Sequence, residues 1–376
     1  MERKVDRKPK ETTVNTSRLA EQVRYNCDVS DARFAGHYSI CGLALRLRDL
    51  YKWEKQLSPW EEHEPAEILA WIDRKEQLWE KLQGRDFEPI DVDGNLCDPF
   101  DVRGINAQLA PRGLFYGAGY AQSLKPSFVL GRIDARLGHN GLAVVHLGRE
   151  LARDLLTLPA LSQDDQVVLR KEAARLFVWD QIFYITPSRR PYLDFALRHA
   201  GLPDTNPSSL QANFAILLEG LHDVFVAHEI GERCDTVFNT DQWRAMIAAF
   251  PHSPVELLLR AVKDALADSG PQGPLPKIVA NQDAVALGFY LVFHDGLGRQ
   301  LFPQFRRAFS DFARSGKWTI MEAAAREVHH QASAHAGRLK KLFAAGRRRD
   351  DLEWAARQIR HEFLDPLESK SKNPHA

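Results

Sequence analysis

The stretch Glu219-Gly-Leu-His222-Asp-Val-Phe-Val-Ala-His228-Glu229-Ile-Gly-Glu232-Arg-Cys-Asp235 crowds two histidines and five carboxylates into a segment whose apolar residues recur at helical spacing. On one helix Glu219, His222, Val226 and Glu229 follow a 3-4-3 ladder, while His228, Glu232 and Asp235 share a neighbouring face. Imidazoles and carboxylates at one-turn spacing are what a metal site on a helical scaffold requires. The same residues also suit an ion-pair network with Arg233 and other bases. Glu219-x-x-His222 has the spacing of a di-iron half-site, but no clean second Glu-x-x-His accompanies it. His228-Glu229-x-x-Glu232 is not the zinc-protease motif, because glutamate holds the last position. One helix cannot aim two faces at one ion, so at most about half of these residues are ligands together.

Downstream, Pro254-Val-Glu256-Leu-Leu-Leu-Arg260-Ala-Val-Lys263-Asp264-Ala-Leu-Ala-Asp268 is amphipathic. Glu256, Arg260 and Asp264 share one face, either as a solvated salt-bridge row or as a polar seam turned toward the 219–235 helix. Ser269-Gly-Pro-Gln-Gly-Pro-Leu-Pro276 reads as a linker or lid loop. Ala284 to Phe293 is apolar throughout and leads into His294-Asp295, which places these two at the end of a buried element. The candidate ligands are therefore His228, Glu229 and Glu232, with Glu219 and His222 as alternates and Glu256, Asp264 or Asp295 from neighbouring helices. The donors suit a divalent iron, manganese or zinc ion. Substrate and reaction stay open. The competing reading is a non-enzymatic structural or interaction protein whose buried charges are interhelical ion pairs.

Other clusters carry less. In His146-Leu-Gly-Arg149-Glu150-Leu-Ala-Arg153-Asp154, the charged residues pair with each other or hold an anion at a strand-to-helix junction. His329, His330 and His335 share no helical face and read as surface residues. Arg338, Lys340, Lys341, Arg347, Arg348 and Arg349 form a basic patch, a weak nucleic-acid signal because Asp350, Asp351 and Glu353 follow at once. Asp91-Val-Asp93-Gly94-Asn95 misplaces the glycine of a calcium loop and reads as a turn. Tyr116-Gly-Ala-Gly-Tyr120 lacks the third glycine of a dinucleotide fingerprint, and the chain has no P-loop and no Gly-x-Ser-x-Gly.

Composition is that of a globular protein: 44% apolar and 27% charged over 376 residues, with 50 basic and 50 acidic residues, so no global charge draws it to nucleic acid or membrane. Cys27, Cys41, Cys97 and Cys234 form no Cys-x-x-Cys pair and read as reduced thiols. The basic N-terminus lacks an apolar h-region, and the longest apolar run, Ala284 to Phe293, is far below the roughly 18 residues of a membrane span. A soluble, cytoplasmic protein is expected.

Helical spacing follows Asp31 and again runs from Glu64-Pro65 to Gly84. Hairpin signals stand at Asp93-Gly94 and at Gly138-His-Asn-Gly141, with residues 99–125 as an ordered loop around a short helix. From Gly148 almost only helices are expected, including 149–157, 165–184 and 280–314. The fold class is α+β and predominantly α-helical: a small antiparallel β-sheet followed by a C-terminal helical bundle. Residues 1–20 and 366–376 read as disordered tails, 21–147 as N-terminal helices plus the sheet, and 148–365 as the helical domain.

Tyr25-Asn-Cys-Asp28, Ser39-Ile-Cys-Gly-Leu43, Tyr116-Gly-Ala-Gly-Tyr120, Gly148-Arg-Glu-Leu-Ala-Arg-Asp154 and His228-Glu-Ile-Gly-Glu232 together resemble an uncharacterised bacterial protein family. The resemblance spans most of the chain after the first residues. It implies a soluble bacterial protein; no activity is assigned to that family, and no catalytic residue carries over.

Overall fold

A computed structural model describes residues 15–139, 141–202, 206–294 and 296–372. Helix α1 (Thr16–Phe34) is capped by Asn15, α2 (Ile40–Glu54) by Ser39, and α3 (Pro65–Leu82) opens on a proline where no N–H is needed. Strands β1 (Ile90–Val92) and β2 (Asn95–Cys97) form a hairpin whose turn residues, Asp93 and Gly94, have φ of 54° and 89°. Positive φ at both centres is what a two-residue hairpin turn demands. After α4 (Val102–Leu109) come β3 (Leu114–Tyr120), β4 (Pro126–His139), β5 (Leu142–Arg153), β6 (Ala160–Gln163) and β7 (Gln166–Arg170). They form one sheet in the order β3-β4-β5-β7-β6, antiparallel except for the parallel β5–β7 pair.

The C-terminal region is helical: α5 (Lys171–Phe183), α6 (Arg190–His199), α7 (Pro207–Cys234), α8 (Thr240–Ala249), α9 (Pro254–Ser269), α10 (Pro274–Asn281), α11 (Ala284–Phe293), α12 (Gly296–Leu301), α13 (Gln304–Ser315), α14 (Trp318–Arg348), α15 (Leu352–Ile359), a π-turn (Arg360–Leu364) and α16 (Asp365–Lys372). Their apolar faces share one core that includes Phe214, Leu221, Leu258, Phe289 and Phe302. A second core joins α1, through Leu19, Val23 and Cys27, to Phe128, Leu130 and Ala152 of the sheet. Among the described residues no helix is long and apolar enough to cross a membrane.

Strand structure runs on to Arg170, through the helices expected at 149–157 and at the start of 165–184. Glu150 and Arg153 imitate a helical i, i+3 ion pair, and Val167-Val168-Leu169 is buried on successive residues and does not alternate. Tyr116–Tyr120, expected in a loop, belongs to β3. Residues 16–20 lie in α1, because Leu19 and Ala20 are buried, and 366–372 lie in α16, where Leu367 packs on the main core. Residues 1–14 and 373–376 are outside the described residues. Within 280–314, Gly296 (φ 58°) and Pro303 help divide the chain into α11, α12 and α13.

A buried cluster of three acids and three bases ties α1 to the sheet. Arg170 grips Glu150 with two parallel hydrogen bonds, Nε to Oε1 at 2.6 Å and Nη2 to Oε2 at 3.0 Å. Arg153 stands 3.6 Å from the same carboxylate. Lys125 lies 2.9 Å from Asp31 of α1 and 3.3 Å from Asp154 at the end of β5. All six are at most 3% exposed, and their formal charges cancel. Removing one partner of such a group strands the opposite charge. Glu150→Ala is therefore expected to lower the unfolding free energy by about 3–5 kcal/mol in urea, and adding Arg170→Met should return part of that loss.

Burial pushes the Asp31 carboxyl up to about 7 against the pull of Lys125. Because this folded value lies above the ordinary 3.8, Asp31 contributes stability that is complete below about 4 and is lost as pH rises through about 7. Wild-type protein should accordingly lose stability relative to Asp31→Asn as pH rises across that window. A relative gain in urea midpoint over the same interval would contradict this.

Candidate functional site

Helix α7 starts at the Asn206 cap with Pro207 in its first turn, and buries Leu210, Phe214, Leu217, Leu221 and Phe225 at steps of three and four. It lies against α9 at close range. A Cβ on Gly231 would stand 2.2 Å from the Ala267 carbonyl oxygen, and one on Gly273 would stand 2.1 Å from the same atom. A side chain at Gly231 would hold α7 off α9, and one at Gly273 would push the α9–α10 turn off the same carbonyl. The run Ser269–Pro276 is thus no linker or lid: Gly270, Gly273, Pro274 and Leu275 are buried in a tight turn from α9 into α10. This approach sets His228 of α7 beside Asp268 near the end of α9.

Asp268 is the centre of the resulting network. Its Oδ1 lies 2.7 Å from His228 Nδ1, and its Oδ2 accepts a hydrogen bond from the Tyr290 hydroxyl of α11 at 2.9 Å. One turn along α7, Glu232 pairs with Lys263 of α9 at 2.9 Å, and the Lys263 ammonium also stands 4.9 Å from the Trp243 ring centroid. His228, Glu232 and Asp264 each present one donor atom, and the three atoms all lie within 4.8 Å of one another.

Burial disfavours the His228 imidazolium, but Asp268, Glu232 and Asp264 outweigh it and raise the pKa well above the ordinary value. Burial lifts Asp264 to about 7; Glu232 and Asp268 push it the same way and His228 opposes them. Solvent reaches Asp264 and screens part of this effect. Burial also works against the Glu232 anion, yet Lys263 and His228 hold its pKa below the ordinary value. Beside these groups lies a cavity of about 590 Å³, lined by His228, Asp264, Asp268 and Tyr290 and by Phe177, Phe225 and Phe293 among other apolar residues.

The remaining sequence candidates stand elsewhere. Glu229 is half-buried, with its carboxyl raised by burial, and is not one of the three clustered donors. Glu219 is exposed. His222 lies on the other face of α7, with Nε2 buried and without a hydrogen-bond partner and its pKa lowered by burial, His146 and Lys171. Glu256 is buried and committed to structure: it accepts from Ser123 N at 2.7 Å, His252 N at 3.0 Å and Arg260 Nε at 2.9 Å. Asp235 accepts from Val237 N at 2.8 Å at the end of α7. Asp295 lies outside the described residues.

Asp268, Lys263 and Tyr290 were not singled out from the sequence. The Asp264–Asp268 step of four, and the one hydroxyl in an otherwise apolar run, were the available signals. The basic patch is partly engaged within the fold: Arg338 pairs with Glu362 at 2.8 Å, Lys340 donates to the Val237 carbonyl at 2.7 Å, and Arg349 stacks 4.1 Å from the Trp354 ring. His329 and His335 are half-buried, not surface residues: His329 lies 3.2 Å from Ser269 Oγ, and His335 packs against Phe302 and Phe363.

Comparison with known proteins adds a family but no activity. The N-terminal domain model of a family of unknown function, DUF6866, matches residues 18–170, and the C-terminal domain model of the same family matches residues 175–362. The two matches meet where β7 gives way to α5, and His228, Glu232 and Asp264 fall in the second. No curated protein and no solved structure matches the chain. With the C-terminal model covering residues 175–362 and the N-terminal model nearly all of the sheet-bearing part before it, the chain belongs to the DUF6866 family of unknown function.

Proposed function

We propose that this protein holds a divalent iron, manganese or zinc ion at His228, Glu232 and Asp264 and applies it to a small molecule in the adjoining cavity. The observation that carries the reading is the meeting of three donor atoms within 4.8 Å beside a cavity of about 590 Å³. Donors on one ion lie at most about 4.2 Å apart, twice a bond of about 2.1 Å, so the set closes by roughly 0.6 Å on binding.

Two further contacts support it. Asp268 engages His228 Nδ1 and leaves Nε2 as the ligating nitrogen, the usual carboxylate–histidine arrangement behind a metal. Lys263 hydrogen-bonds one oxygen of Glu232 and leaves the other for the ion. Three protein ligands leave coordination positions open, and an ion so held acidifies water or polarises a carbonyl. Metal-assisted hydrolysis or oxidation is the reaction class such a site serves. The Glu232–Lys263 pair also favours a second reading, in which ion pairs fasten α7 to α9 in a non-enzymatic structural or interaction protein.

Elemental analysis of the purified protein separates the two. Near-stoichiometric iron, manganese or zinc, absent from the folded His228→Ala/Glu232→Ala variant, is the expected result. A metal-free protein whose melting temperature none of the three ions moves would eliminate the metal reading. Asp268→Asn should weaken metal affinity by about 10–100-fold without abolishing it, since it orients His228 and does not ligate; competition with a chelator of known affinity measures this.

A further inference from the structure

The walls of the cavity are chemically segregated. Phe177 of α5, Phe225 of α7 and Phe293 of α11 form a three-ring cluster, with centroids 5.9 Å apart for Phe177–Phe225, 5.2 Å for Phe177–Phe293 and 5.7 Å for Phe225–Phe293. The polar wall is the Asp268 network. Asp264 and Asp268 both line the cavity there, His228 is bonded to Asp268, and Lys263, which is not on the lining, is paired with Glu232. Two further bases are on the lining: Arg260, whose Nε is bonded to Glu256 at 2.9 Å and whose Nη2 is bonded to the Ala121 carbonyl at 3.2 Å, and His294, whose ring stacks on Tyr290 with centroids 6.0 Å apart. An anionic head entering here would face the Asp264 and Asp268 carboxylates, and the Arg260 guanidinium is already engaged by Glu256. An ammonium would meet the Asp264 and Asp268 carboxylates, and an apolar body attached to it would find the three rings. A cavity of about 150 Å³ accommodates benzene, so about 590 Å³ has room for a bicyclic or medium-chain body.

We propose that the cavity takes a primary amine on an aromatic or medium-chain aliphatic body, with its nitrogen at Asp264 and Asp268 and its body against Phe177, Phe225 and Phe293. This names the ligand class of the site described above and rests on that reading only in sharing Asp264. The nitrogen binds as an ammonium when no ion is present and as the free base on an open coordination position when one is.

Calorimetric titration of the chelator-treated whole chain with hexylamine, octylamine and decylamine is expected to show affinity rising about fourfold per methylene. Octylamine should bind about tenfold more tightly than 1-octanol, as a charge-assisted hydrogen bond implies, and octanoate more weakly than either. Octanoate binding as tightly as octylamine, or no binding by any of the three amines, overturns the proposal. Asp264→Asn should bring octylamine down toward 1-octanol. Ala261→Trp, which fills the cavity, should abolish binding of both and leave the metal content unchanged. A metal-free protein that binds the series in this order keeps this proposal and loses the metal centre; a metal-loaded protein whose chelated form binds no amine does the reverse.

Discussion

The grip of Arg170 on Glu150 is the contact on which the arrangement of the two regions depends. Burying charge is costly, and the cost is tolerable here because three acids and three bases satisfy one another out of water. The pair joins β7 to β5, the two parallel strands of the sheet, with Leu147 opposite Arg170 in the register. Lys125, between Asp31 and Asp154, fastens α1 to the same strands. Since Lys171 begins α5, the residue that closes the charge cluster also sets where the first C-terminal helix departs. That helix carries Phe177 to the cavity wall. The buried apolar faces of these central strands already specify their register, and a bidentate ion pair in a dry interior reinforces it.

The site depends on a second constraint, the absence of side chains at Gly231 and Gly273. Helices normally pack with axes 8–10 Å apart; a side chain at Gly231 would push α7 off the Ala267 carbonyl, and one at Gly273 would push the start of α10 off it. With them absent, His228 reaches Asp268, and Glu232 reaches Lys263. The electrostatics follow from that proximity. Three carboxylates and two bases in a partly enclosed space cannot all keep their ordinary proton affinities, so His228 rises, Asp264 rises and Glu232 falls. Opposed shifts within one cluster are common at functional sites, although structural networks show them as well.

Much of the framework was legible in the residues. Pro65, Pro207 and Pro254 each open a helix, Asp93-Gly94 makes its hairpin, and the wheel of α7 separates His228 and Glu232 from Glu219 and His222. The strands after Gly148 were not legible. Their interior residues serve the charge cluster, so β5 reads as a polar helical face and β7 as a run without alternation. Asp268 was equally hidden. On its own helix it is one more carboxylate on an amphipathic face, and only the neighbouring α7 and α11 make it the residue that holds both His228 and Tyr290.

The sequence by itself determined the class of the fold, a mostly helical chain with a modest sheet, because helical periodicity, capping and turn chemistry are local properties. It also determined that His228 and Glu232 share a face, since a step of four on one helix needs no tertiary information. Which acid joins them was decided only in three dimensions. Glu256 and Asp264 are two turns apart on the same stripe of α9, yet the former is spent on Ser123, His252 and Arg260 while the latter stands beside His228. The difference is one of neighbours: contacts between residues distant along the chain depend on how closely α7 and α9 approach, and a carbonyl facing a glycine sets that distance.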